Sequence, residues 1–138
     1  MEEETNLGAK IAHLGFIQGV IDRMGSNSFL LKGWSVTLVA AVFALSSKDA
    51  DQRFILLAYF PVIVFWVLDA YFLHQEKLFR KLYEKVASGD ISSKEFVLNT
   101  AIVRDEVASV SSVFFSKTLF LFHGLIVSIV TFAMCYLT

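Results

Sequence analysis

The stretch FILLAYFPVIVFWVLDAYFLHQEKLFRKLYEKVASG, Phe54 to Gly89, decides the fold. Phe54 to Leu68 carries no charge, and apolar character continues past Asp69 through Ala70, Tyr71, Phe72 and Leu73. At about 1.5 Å per residue such a run crosses a hydrocarbon core about 30 Å thick. From His74 to Ala87 there is neither Gly nor Pro. Leu78, Leu82 and Val86 recur every four residues beside Phe79 and Tyr83, while Lys77, Lys81 and Lys85 form a parallel basic row with Arg80 adjacent. That spacing places each set on one face of a helix. The stretch reads as one helix over about 53–88, whose second half projects about 20 Å beyond the membrane. It closes at Ser88 and Gly89, where glycine takes the left-handed C-terminal position.

The rest of the chain has the same character. Of 138 residues, 56% are hydrophobic and only 18% charged, above the usual apolar share of soluble domains, which excludes an ordinary soluble enzyme. The uncharged run Thr118 to Thr138 is the clearest further span. Gly33 to Ser47 is shorter, but Phe29, Leu30 and Leu31 precede it, and Lys32 can snorkel to the interface. Spans are therefore expected at about 28–47, 53–73 and 117–137, giving an all-α integral membrane protein. The segments left over are too short to enclose a soluble core of their own.

Lys48 to Arg53 separates the first two spans, so these form a tight antiparallel hairpin. Lys48 and Arg53 are the basic residues on that side, whereas Lys10, Arg23, Lys32, Lys77, Arg80, Lys81, Lys85, Lys94, Arg104 and Lys117 fall on the other. The positive-inside bias puts the N-terminus and residues 74–116 in the cytoplasm and the C-terminus outside. Met1 followed by Glu2, Glu3 and Glu4 is the reverse of a basic leader, so no cleaved secretory signal is expected.

Four segments follow. Residues 1–27 read as an amphipathic cytoplasmic helix carrying Ile11, Leu14, Ile17, Val20, Ile21 and Met24 at helical spacing. Gly25 to Ser28 reads as a break, with Ser26 or Asn27 capping the next helix. Residues 28–73 are the transmembrane hairpin. Residues 74–116 comprise the helical extension and a connector, in which Ser92 and Glu95 have capping-box spacing with Ile91 and Phe96 as the staple. Phe96, Leu98 and Thr100 also alternate as in a strand, so the pattern over 92–104 supports either state. Val107 to Lys117 leads helically into the last segment, 117–138.

Three groups of residues are candidates for function. Asp69, near the cytoplasmic end of its span, is costly to bury and needs a partner, for which Lys32, Lys117 and His123 lie at similar depth. An ion pair or hydrogen bond between helices is the favoured reading, and a proton relay or pore lining the sharper one. His123 paired with Asp69 would make a pH-sensitive gate, although a hydrogen bond joining packed helices is more common. The row Lys77, Arg80, Lys81 and Lys85 would bind an anion such as a nucleotide, an oligonucleotide or a lipid headgroup. Its more usual role is a collar touching anionic lipid, here partly neutralised by Glu76 and Glu84.

Small residues at Ser35, Ala40, Ala41, Ala44, Ser46, Gly124 and Ser128 permit close helix approach. Trp34, Trp66, Tyr59, Tyr71 and Tyr136 read as interface anchors or packing residues. The single cysteine, Cys135, allows no intrachain disulfide, and no cluster has metal-ligand spacing. No phosphate loop, dinucleotide fingerprint or nucleophile elbow is present, so neither a catalytic residue nor a cofactor is expected.

The segments KGWSVTLVAA (Lys32 to Ala41), FPVIVFWVLDAYFLHQEKLFRKLYEKV (Phe60 to Val86) and FFSKTLFLFHG (Phe114 to Gly124) resemble those of small bacterial inner-membrane proteins of the RipA-like type. That resemblance implies a homo-oligomer, an octamer in that family, in the bacterial inner membrane. The size and layout are also similar to membrane effectors of antiphage systems such as the Hailong membrane protein, which implies control by a nucleotide product of a partner enzyme. Since three spans can scarcely enclose a pathway, the expected function is a non-enzymatic, ring-like pore-forming or membrane-perturbing effector gated through its cytoplasmic region. The alternative is a membrane scaffold or partner-binding subunit without conductance.

Overall fold

A computed structural model of the chain describes residues 2–49 and 52–136, with side chains for 3–46 and 56–136. It is all-helical, and three of its helices are long and apolar enough to cross a membrane. Helix α1 runs Glu2–Asp49 and α2 runs Gln52–Ser88. A connector follows, containing a 3₁₀ helix at Thr100–Glu106 and the short α3 at Val110–Phe114. Helix α4, Lys117–Tyr136, ends the described chain. Residues 50 and 51 of the expected turn, and the side chains of Lys48 and Arg53, lie outside the described residues.

Helix α2 has the extent its periodicity predicts. Gly89 follows it at φ +91°, and the Ile91 N–H reaches back to the Lys85 carbonyl at 3.2 Å. Lys10 of α1 donates to the Ala87 carbonyl at 2.7 Å, placing a cation on the negative end of α2. That contact and the Ser28–Asp69 bond show α1 and α2 running antiparallel along most of their length.

The expected break at Gly25 to Ser28 does not exist: residues 1–27 are not a separate element, because α1 is helical from Glu2 through Asp49, about 72 Å of continuous rod. Glycine inside a helix costs only about 1 kcal/mol relative to alanine, and packing against α2 offsets it. Gly25 lies against the Glu76 side chain. Ser28, expected near a cap, spends its hydroxyl on Asp69 instead.

Two cores stack along the rods. One joins Ile17 and Ile21 of α1 to Leu78, Leu82 and Val86 of α2 and to Val103 of the 3₁₀ helix. Ile11, counted on this face by its spacing, is 63% exposed and lies off it. The membrane core joins Val39 of α1, Ala58 and Val62 of α2, and Ile126 and Val130 of α4. Between them the α1 face is small and polar, with Ser28 and Ser35 buried. Of the other small residues, Ser46 is buried, whereas Ala40, Ala41, Ala44 and Ser128 are exposed.

The connector departs from its expected form. The capping box is not made: Ser92 Oγ accepts from the Lys94 N–H, and no helix follows. Residues 92–99 are irregular, neither helix nor strand, and turn at Phe96, whose φ is +49°. His13, fully buried, explains the turn. Its Nε2 meets the Val97 carbonyl at 2.8 Å, its Nδ1 meets Ser93 Oγ at 3.2 Å, and Phe96 packs edge-on against it. Tertiary contacts thus override local propensity. Val107 to Lys117 is not one continuous helix either, because α3 stops at Phe114 and the chain bends at Phe115 and Ser116 before α4 begins.

Continuity of α1 has a direct check. A Cβ at Gly25 would meet Glu76 Oε2 at an ordinary 3.5 Å. Gly25→Ala should therefore raise stability by about 0.5–1 kcal/mol, read as a higher unfolding midpoint in detergent. A lowered midpoint would mean that the backbone at Gly25 is not helical.

Candidate functional site

The three spans converge on one carboxylate. Asp69 of α2 is completely buried. Its Oδ1 accepts a hydrogen bond from the Ser28 hydroxyl of α1. Its Oδ2 pairs with Lys32 Nζ of α1 at 2.6 Å and accepts from His123 Nε2 of α4 at 2.9 Å. Lys32 also donates to Ser28 Oγ at 2.9 Å, so the two α1 residues, one turn apart, form a joined donor pair. Both carboxylate oxygens are thereby satisfied, the condition under which a buried charge is tolerated.

Aromatic rings close the site. Trp66, one turn before Asp69 on α2, stacks on His123 at 5.6 Å and on Phe114 of α3 at 4.6 Å. Its indole N–H donates to the Phe114 carbonyl at 3.0 Å. Lys32 lies 6.0 Å from the Phe122 ring centroid, with 21% of its side chain accessible. With Nε2 donating to the carboxylate, the His123 tautomer is set by the hydrogen bond, and its buried Nδ1 has no partner.

Of the partners considered for Asp69, Lys32 and His123 are in contact. Lys117 makes no ion pair with it among the described residues. Ser28 is the member that sequence reasoning missed. Its signal is the four-residue spacing to Lys32, legible once α1 is continuous. The carboxylate faces its own chain's α1 and α4, so in this conformation it lines no surface of the single chain.

The basic row is largely paired. Arg80 binds Glu76 at 2.8 Å, Lys81 binds Glu84 at 3.2 Å and Glu106 at 3.6 Å, and Lys85 binds Glu106 at 3.0 Å. Lys77 is exposed without an ion pair among the described residues. The hydrogen bond from Lys85, with the charges of Lys85 and Lys81, holds the exposed Glu106 carboxyl below its ordinary value despite some desolvation. Glu106 reaches these lysines only because the 3₁₀ helix packs along α2 through Val103, and it leaves fewer free cations for an anionic ligand. Among the described residues no group of His, Cys, Asp and Glu has the arrangement of a metal site.

The cluster predicts a specific pattern of stability. Asp69→Asn leaves Lys32 partly buried without its counter-charge and should cost about 3 kcal/mol. The double variant Asp69→Asn with Lys32→Met removes both charges while the amide oxygen can still accept from Ser28 or His123, and it should recover most of that loss, measured by chemical unfolding in detergent. Additive losses would show that the two residues are not energetically paired.

No protein-family model matches this chain, and no curated protein and no solved structure matches it either.

Proposed function

We propose that the protein is a non-enzymatic, homo-oligomeric effector of the bacterial inner membrane, a gated pore or membrane-perturbing assembly controlled through its cytoplasmic region. The observation that carries this reading is the continuity of α1 and α2: each is one rod whose membrane half and projecting half are a single helix. A push on the projecting pair is therefore delivered to the level of Asp69, where α1, α2 and α4 are tied together. The resemblance to RipA-like proteins supports assembly around an axis, and the layout shared with antiphage membrane effectors supports a nucleotide or oligonucleotide as the trigger.

In this reading the N-terminus and residues 74–116 are cytoplasmic, the C-terminus is outside, and Asp69, His123 and Lys32 act as a latch between spans. The latch holds when α1 and α4 both engage the carboxylate. Lys77 and Arg80, with Lys81 and Lys85, form the cytoplasmic face offered to an anion, which must compete with Glu76, Glu84 and Glu106 for them.

The scaffold reading has one observation in its favour. Both oxygens of Asp69 are satisfied inside a single chain, one of them by His123, as expected of a structural tie. Ion flux from liposomes reconstituted with the purified protein separates the two. The effector reading expects flux that rises on adding the activating nucleotide or oligonucleotide, and Asp69→Asn should raise basal flux several-fold by releasing the latch. Absence of flux in native and variant protein alike, or a monomeric mass in detergent, would leave the scaffold.

A further inference from the structure

Beside the cytoplasmic end of the second span lies a cavity of about 400 Å³, lined by His74, Arg104, Asp105, Val107, Ser109 and Val110. None of these residues belongs to the ion-paired row or to the Asp69 cluster. Arg104 is exposed and pairs with no carboxylate among the described residues, and the exposed Asp105 stands next to it in the 3₁₀ helix. His74 is 6% exposed, and its Nδ1 has no hydrogen-bond partner. Burial, reinforced by the positive charge of Arg104 and opposed by a hydrogen bond to the Ala108 backbone, pushes the His74 imidazole below its ordinary value, which favours the neutral ring. The polar lining thus holds one unpaired cation, one unpaired anion and a neutral imidazole.

The depth of the cavity matters equally. Trp66 lies two turns before His74, about 12 Å deeper along α2. Its bond to the Phe114 carbonyl fixes the C-terminal end of α3 at that deeper level. Helix α3 therefore crosses from the level of His74 toward the hydrocarbon. Val110, on the cavity wall, is 41% exposed, and Phe115 just beyond α3 is 67% exposed. A polar cavity opening beside exposed apolar side chains at the membrane–water boundary has the amphipathic form of a lipid.

We propose that this cavity binds the phosphoethanolamine headgroup of a membrane glycerophospholipid, with the phosphate on Arg104, the ammonium on Asp105, and the acyl chains along Val110 and Phe115. A guanidinium takes a phosphate by parallel N–H donors. Asp105 disfavours a headgroup carrying only negative charge and takes one that ends in an N–H donor. A choline headgroup has the phosphate but no such donor. Free phosphoethanolamine shares the polar chemistry and lacks the apolar contacts.

The experiment is native mass spectrometry of the full-length, delipidated protein in detergent, titrated with phosphatidylethanolamine, phosphatidylcholine and phosphatidylglycerol of identical acyl chains. Phosphatidylethanolamine adducts should exceed each of the others at least fivefold. Arg104→Gln should reduce its binding at least fivefold. Asp105→Asn should bring it within twofold of phosphatidylcholine while keeping the choline lipid bound. Both side chains are exposed, and an unchanged unfolding midpoint verifies that each variant folds. Equal retention of the three lipids, preference for phosphatidylglycerol, or a preference that survives both substitutions would overturn the site. Displacement by equimolar free phosphoethanolamine would overturn the lipid as the source of the headgroup.

Discussion

A carboxylate carried into the apolar part of a helix must find donors or lose its charge, and Asp69 finds them on both of the other spans. Ser28 and Lys32 come from α1, and His123 comes from α4. Apolar packing alone gives membrane helices little preference for one rotation or register over another, because lipid tails are as apolar as leucine. A shared carboxylate does set them. Rotating α1 by half a turn or sliding α4 by one turn would leave a charge or a ring nitrogen buried without a partner, at several kcal/mol. The apolar contacts of Val39, Ala58, Val62, Ile126 and Val130 then fill in around a geometry fixed at one level.

That level is also where the two halves of the molecule meet. On one side of it lies the membrane core, and on the other the core of Ile17, Ile21, Leu78, Leu82, Val86 and Val103. Since α1 and α2 pass through both cores without interruption, neither core can repack independently of the Asp69 contacts. The connector is held to the rods as well, by His13 on Val97 and Ser93, by Val103 in the core and by Lys81 and Lys85 on Glu106. Through α3 and the Trp66–Phe114 contact it returns to α4 beside His123. The connector end of the molecule is thus joined to the same carboxylate by two routes, one along the rods and one through the connector.

What the sequence makes legible follows from regular geometry. Fixed rise per residue ranks Lys32, Asp69 and His123 by depth, which is enough to bring them together once the spans are recognised. The same regularity extends α2 to Ser88 and sets Gly89 in the left-handed region. Where structure and local pattern differ, a tertiary contact outweighs the local signal. Gly25 to Ser28 carries every mark of a turn, yet a helix already packed on its neighbour absorbs one glycine. Ser92 and Glu95 have capping-box spacing, yet His13, about 80 residues away in sequence, takes Ser93 and Val97 and leaves no helix there. Glu106 joins the basic row for the same reason: its place depends on where the connector docks, which no periodicity encodes.

Hydroxyls on the outer surface bond within their own chain. Thr37 donates to the Gly33 carbonyl, Ser128 to Gly124 and Thr131 to Val127, each to its own helix four residues back. Tyr59 bonds to Thr131 within the same chain. With Asp69, Lys32 and His123 also spent internally, the described membrane surface of one chain is left with few polar groups seeking a partner. Any contact with a second copy in the bilayer would then rest on shape and small side chains, with Ala40, Ala41 and the Gly124–Ser128 pair as the places where backbones can approach closely. Such contacts are shallow in energy and tolerate sliding. Within one chain the three helices are held to one another at Asp69, the single level where α1, α2 and α4 share a charged contact.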